Sequence, residues 1–442
     1  MTGKKKLLYG ILVILIIAIS YGFNFGLKYA YIGSSYDAKT VCSCIFISHR
    51  DLADIRREDL YALPFANIKV DREHKSVSSD VYGLAKTKAI YRPGLGCTLV
   101  NELSETEINH QPILKVAPSS PDTLTSTTPV PSDIDSSKLF NAISEVFKET
   151  DSIKIQRTRA VVILHHGKMI AERYAPGFYS TTPLLGWSMT KSVTNAMIGI
   201  LVRDGLLSTD QAMLLDEWKN DDRNKITLDN LLRMSSGLRF NEDYTTPSDA
   251  TTMLFRTSGA GKYAIRSKIA FPPGTVWYYS SGTSNILQEI IRRQFKTLED
   301  YQAFPHQRLF GKIGMNSAIM EPDASGTFIG SSFMYATARD WAKFGQLYLQ
   351  DGIWNGEQIL PEGWTTYSSK ETPHSNGRYG AQFWMNHNDK TFPQDAYFAD
   401  GFEGQFVVII PSRQLVIVRL GCTQNEGFDL TAFVKDIVSA IH

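Results

Sequence analysis

The chain has 442 residues, 43% hydrophobic, 21% charged and 11% aromatic, enough for one large core or for two that share an interface. Its 46 Lys and Arg against 45 Asp and Glu leave a formal net charge of +1, without the basic excess that a nucleic-acid partner usually demands. Heptads, a Gly-rich phosphate loop and fixed-period repeats are absent from the sequence.

Residues 1–6 carry Lys4, Lys5 and Lys6 and lead into an apolar run over 7–27, interrupted only by mild residues such as Ser20 and Asn24. About 20 apolar residues cross a bilayer as a helix. Lysines ahead of such a run favour a cytosolic N-terminus, so a signal-anchor over 7–27 would hold the rest of the chain on the periplasmic or extracellular side. Cleavage after Ser20, at Ala18-Ile19-Ser20, is the rival reading and would give a secreted protein. Apolar residues continue past that site, which favours the uncleaved anchor.

Export gives the cysteines a redox meaning. Cys42 and Cys44 are poor partners for each other in an extended segment, and Cys422 stands apart. A bridge from Cys42 or Cys44 to Cys97 suits an oxidising compartment. A Cys-x-Cys metal site competes, yet no His or Cys follows at ligand spacing.

Residues 28–104 read as a small region of mixed polarity. Residues 105–138 read as a linker, with Pro112, Pro118, Pro121, Pro129 and Pro131 among many Ser and Thr. A compact domain is expected over 139–442. Apolar runs at 159–164 and 169–174 flank His165-His166-Gly167-Lys168 as a β-hairpin, with both histidines as solvated turn residues rather than metal ligands. Thr227 caps a short helix that Gly237 closes, and Thr337 opens another that Gly352 ends. A second hairpin pairs 405–410 with 414–420, and a helix over 428–441 carries Leu430, Phe433, Val434, Ile437 and Ile441 on one stripe. Strands at both ends with helices between predict an α+β fold. Its antiparallel sheet would be built from both ends of the domain, with an inserted helical lobe, behind an N-terminal transmembrane helix.

Three segments carry chemistry. Gly186-Trp187-Ser188-Met189-Thr190-Lys191 runs into a helix whose buried face is Val193, Ala196, Met197, Ile200 and Leu201. Ser188 is expected in its first turn, with Lys191 three residues on and on the same face. A serine hydroxyl needs a neighbour to take its proton, and a desolvated lysine can do so near neutral pH. The backbone N–H of Ser188, at a helix start, can serve an oxyanion. Pro272-Pro273-Gly274-Thr275-Val276-Trp277-Tyr278-Tyr279-Ser280-Ser281 is a turn that fixes a tyrosine hydroxyl, and a cationic lysine nearby would bias that phenol toward phenolate. Ala399-Asp400-Gly401-Phe402-Glu403-Gly404-Gln405 opens the penultimate strand with glycines that permit close backbone approach. A bare Ser-x-x-Lys is common by chance; the apolar helix behind this one makes its burial, and so its chemistry, the better reading.

In this order the segments resemble the serine β-lactamase and penicillin-binding-protein superfamily, most of all its class C-type esterases and amidases, including the 6-aminohexanoate-dimer hydrolases. The likeness covers residues 139–442 and includes the 161–168 hairpin, the 226–238 helix and turn, and 335–342. It implies that Ser188 is acylated, that Lys191 is its proton partner, and that Tyr279 rather than Tyr278 is the family tyrosine. It also implies an oxyanion hole from the N–H groups of Ser188 and Phe402, with Ser281, Asp400 and Gly401 touching substrate. Ser281 stands where many relatives have Asn. Ala399 and Asp400 replace the Lys-Thr or His-Thr pair, which argues against β-lactam and carboxylate recognition, although strand alternation could turn Asp400 away. The expected partners are a small-molecule or short-peptide amide or ester and, through the N-terminal helix, a membrane. No cofactor or metal is expected. A cell-wall peptidase and a slow-deacylating penicillin sensor are the alternatives.

Overall fold

The computed structural model describes residues 3–60, 65–114, 124, 131–150, 153–425 and 427–442. The 105–138 stretch therefore has its middle, apart from Leu124, outside the described residues. Its start holds a short helix, Glu105–Asn109, fixed by a capping box between Ser104 and Glu107.

Helix α1 spans Gly3–Phe46. Among the described residues it is the one helix long and apolar enough to cross a membrane. Its first part exposes apolar side chains all round, with Ile14 at 69% and Tyr21 at 74%. From Ser34 on it turns inward, and Ala38, Val41 and Cys42 are fully buried. No proline lies between these two parts, so the helix runs on past residue 27 into the body of the protein.

The buried half of α1 packs on an antiparallel sheet of four strands, β1 (Asn67–Asp71), β2 (Ser76–Val81), β3 (Leu84–Arg92) and β4 (Gly96–Leu99), in that order. Cys42 of α1 is disulfide-bonded to Cys97 of β4, while Cys44 and Cys422 are free and buried. Lys39 forms a buried ion pair with Glu321, whose Oε1 also accepts from Ser43 Oγ (2.7 Å) and the Cys97 N–H (2.6 Å). A buried charge needs such partners. One carboxylate thus joins α1, β4 and the larger domain.

In that domain, β5 (Thr158–His165) and β6 (Lys168–Tyr174) precede the helical lobe, and β7 (Trp384–Met385), β8 (Tyr397–Gly401), β9 (Gln405–Ile410) and β10 (Leu415–Gly421) follow it. They form one antiparallel sheet in the order β7-β8-β9-β10-β5-β6. Both ends of the domain thus build it, as expected. Alternate residues serve two cores. Val162, Leu164, Val407 and Val416 face the helical lobe, while Val161, Ile163, Val408 and Ile417 face α2 (Ser136–Glu145) and the C-terminal helix. In the lobe lie α3 (Thr190–Arg203), α4 (Ser281–Arg292) and α5 (Ala338–Leu349); α6 (Leu430–Ser439) closes the chain. A Cβ on Gly345 of α5 would lie 2.5 Å from Val416 Cγ1, so glycine lets that helix press on the sheet.

Two local readings are corrected. His165 is no solvated turn residue: it ends β5, is 5% exposed and pairs with Lys168. The turn is His166-Gly167 alone, at φ 48° and 73°, since a two-residue hairpin turn of this kind needs two left-handed residues. The helix that Thr227 caps, Leu228–Leu232, ends well before Gly237, which sits in a later turn at φ 73°.

Candidate active site

Ser188 lies one step earlier than expected, in a 3₁₀ turn over Trp187–Met189 that feeds α3. Positions i and i+3 eclipse in 3₁₀ geometry, which brings Lys191 over Ser188. Trp187 is held at φ 46°, a left-handed backbone that bulky residues rarely adopt. Its surroundings hold it there. Trp187 Nε1 donates to Glu403 Oε2 at 3.2 Å, and its ring meets Phe402 edge-on and stacks on Tyr36.

Lys191 is 1% exposed. Its Nζ is 2.9 Å from Ser188 Oγ, 3.1 Å from Ser281 Oγ and 2.8 Å from the Ser331 carbonyl oxygen, all uncharged partners. Burial pulls its pKa down to about 8, against the opposing pull of Glu242 and Asp400. The amine can therefore be neutral close to physiological pH.

Tyr279 shares this centre: the Lys191 amine lies 4.9 Å from its ring centroid, and its hydroxyl is hydrogen-bonded to Ser188. Trp384 and Tyr379 pack against the ring at 5.0 and 5.8 Å. Burial pushes the phenol well above its usual value despite the Ser188 hydrogen bond, and Glu242 and Asp400 push it further. The phenolate expected from the sequence is thus reversed. Desolvation favours the neutral form of both partners, so Tyr279 keeps its proton and Lys191 is the group that gives one up first. Tyr278 is 48% exposed and ties its N–H to the Met234 carbonyl, outside the centre.

Ser281 opens α4 and is fully buried. Besides Lys191 it meets a carboxylate: Ser281 Oγ donates to Glu242 Oε1 at 2.5 Å and its N–H to Glu242 Oε2 at 2.8 Å. The Tyr244 hydroxyl donates to Glu242 Oε1 at 2.8 Å and lies 2.9 Å from Ser281 Oγ. Glu242 and Tyr244 were not found from the sequence. They sit in a loop with no motif, and only folding brings them to Ser281.

Strand β8 closes the other side. Asp400 pairs with Phe406 and borders the same cavity as Ser188, Tyr279, Gly401 and Phe402, so strand alternation does not turn it away. Burial raises its pKa to about 7, offset in part by Lys191. Phe402 follows in the turn, 57% exposed. The cavity measures about 630 Å³, and α1 gives it one wall, through Tyr29, Ile32, Gly33 and Tyr36. Among the described residues no cluster of His, Cys, Asp or Glu is arranged to hold a metal ion.

An antiparallel sheet assembled from both ends of a domain, a helical lobe, and a Ser-x-x-Lys at the start of a buried helix between them define a serine-hydrolase fold of the β-lactamase type. The chain belongs to the Beta-lactamase family, whose model matches residues 155–432. It is 23% identical over 292 residues to the 6-aminohexanoate-dimer hydrolase of Paenarthrobacter ureafaciens, which covers 60% of this chain and 72% of that protein. Among solved structures, a protein of Bacillus anthracis described as a candidate 6-aminohexanoate-dimer hydrolase superposes with a TM-score of 0.61 at 23% identity, over 75% of this chain and 90% of its own. A family VIII carboxylesterase gives 0.53 at 15% identity, over 70% and 97%. A class C β-lactamase gives 0.53 at 13%, over 69% and 96%. At such identities the superpositions establish the fold. The family itself is one of hydrolases.

Proposed function

We propose that this protein hydrolyses an ester or amide through an acyl-enzyme on Ser188. The observation that carries the reading is the Lys191 amine, buried among uncharged partners 2.9 Å from Ser188 Oγ. As Oγ attacks the carbonyl carbon, its proton passes to Lys191. The N–H groups of Ser188 and Phe402 take the oxyanion. Collapse breaks the bond to the leaving oxygen or nitrogen, which takes a proton from Tyr279, and Lys191 restores that proton to the phenol. Water then attacks the acyl carbonyl carbon and gives a proton to Lys191; the bond to Ser188 Oγ breaks as Oγ takes a proton back through the same pair, and the acid leaves. Asp400 and Gly401 border the bound group, and Ser281 orients Lys191. The Paenarthrobacter relative is named a hydrolase of a 6-aminohexanoate dimer, which supports an amide or ester substrate, and the carboxyl of Asp400 favours a neutral or cationic one.

The apolar run 7–27 is proposed as an uncleaved anchor with the catalytic domain outside the cytosol. Its continuation into the domain and the Cys42–Cys97 bridge support this. Fluorophosphonate labelling with a panel of nitrophenyl esters tests the chemistry. Labelling and turnover that both vanish in Ser188→Ala are expected, and labelling at full stoichiometry in that variant would refute the assignment. A burst without turnover would instead point to a slow-deacylating penicillin sensor.

A further inference from the structure

Resting on the Ser188 reading, we infer that the substrate is an amphiphile whose apolar chain lies against α1 and reaches the nucleophile from the lipid–water interface. The wall that α1 gives the cavity comes from Tyr29, Ile32, Gly33 and Tyr36, spaced i, i+3, i+4 and i+7, so a single stripe of the helix faces Ser188. That stripe precedes residue 155, where the family match begins. Leu254 and Phe255 line the cavity as well. Asp400 is the one charged residue of this lining, and its charge acts on both Lys191 and Tyr279. A scissile carbonyl placed at Ser188 leaves the rest of the molecule against a mostly apolar lining, in which Thr245, Thr246 and Thr251 are the polar exceptions nearest in sequence to Leu254 and Phe255.

The same helix says where such a molecule comes from. The apolar run ends at residue 27, and at 1.5 Å per residue Tyr29 lies about 3 Å beyond it and Tyr36 about 14 Å. Phe23, Phe25 and Tyr29 are 60%, 46% and 42% exposed, an aromatic group at the depth where headgroups would lie. The cavity therefore begins where the proposed span stops. A chain leaving the bilayer along α1 meets Tyr29 first and Ser188 last. A small, freely soluble substrate has no use for this wall.

The test uses the full-length protein in phosphatidylcholine vesicles with two series, nitrophenyl esters of C2 to C12 acids and C2 to C12 alkyl acetates. Each buried methylene is worth up to about fourfold in binding. A rise in kcat/KM of at least about tenfold from C2 to C8 is expected in one series, and which one rises tells whether the chain is on the acyl or the leaving side. Ile32→Asp and Tyr29→Ala, each assayed as its vesicle-bound fraction, should lower the C12-to-C2 ratio severalfold, a ratio that a smaller folded fraction does not change. Flat profiles in both series, or an unchanged ratio in both variants, would overturn the inference. Acetate hydrolysis that survives in Ser188→Ala would instead overturn the reading beneath it.

Discussion

A Cβ on Gly401 would sit 2.2 Å from the carbonyl oxygen of Gly186. The strand bearing Asp400 and the turn bearing Ser188 therefore touch backbone to backbone, a spacing no side chain could share. Gly401→Ala must push the two apart by an ångström or more. Misplacement on that scale costs about 10²-fold in rate. The variant is expected to keep its circular dichroism and lose about that much kcat. Full activity would show that the contact is dispensable.

The proton relay makes a second prediction. Lys191→Ala and Tyr279→Phe should each lower kcat by at least about 10²-fold, the usual scale of general acid–base help. Tyr278→Phe should change it little, because that ring is half exposed and its backbone, not its hydroxyl, is tied down. Reversed effects for the two tyrosines would move the register by one residue.

Much of this centre was legible in the chain because its parts are local. Ser188 and Lys191 are three residues apart at the mouth of an apolar helix, which short-range geometry fixes, while Tyr279 was chosen through the family resemblance that its Pro-Pro-Gly turn carries. What remained hidden depends on long-range contact. Glu242 reaches Ser281 across the lobe, and Glu321 reaches Lys39 from 282 residues away. The ionisation of Tyr279 was misjudged for a related reason: a sequence shows which charges are near, but only the fold shows how much water is excluded. The α1 stripe was not read from the sequence, because it lies past the apolar run in a region of mixed polarity and only the fold sets it against the cavity.

The Cys42–Cys97 bridge closes a loop of 55 residues between α1 and β4. Constraining a loop of that length in the unfolded chain stabilises by about 4 kcal/mol in the chain-entropy account. Mild reductant, or Cys97→Ala, should therefore lower the melting temperature. Cys44 and Cys422 are buried and unbridged, so Cys44→Ala should leave the response to reductant intact. A melting temperature indifferent to reductant would mean the bridge contributes nothing.

Asp400 and Lys191 set the pH behaviour together. Lys191, held at about 8 chiefly by burial, is the base only when neutral, so kcat/KM for an uncharged ester should climb with pH and level off above about 8. Asp400, raised to about 7 by its own burial, is neutral below that pH and anionic above it. Its charge then acts twice. It favours the protonated form of Lys191, so removing it in Asp400→Asn should move the inflection to lower pH. It also repels an anionic substrate, an effect that appears only as pH rises through about 7. The ratio of nitrocefin to neutral-ester kcat/KM should accordingly fall between pH 6 and 8 in the wild type and stay level in Asp400→Asn. Glu242, bound to Ser281, is present in both proteins and cancels from the comparison. A ratio that falls equally in the two would put the repelling charge elsewhere. A wild-type preference for nitrocefin at pH 8 would remove the argument that Asp400 selects neutral or cationic substrates.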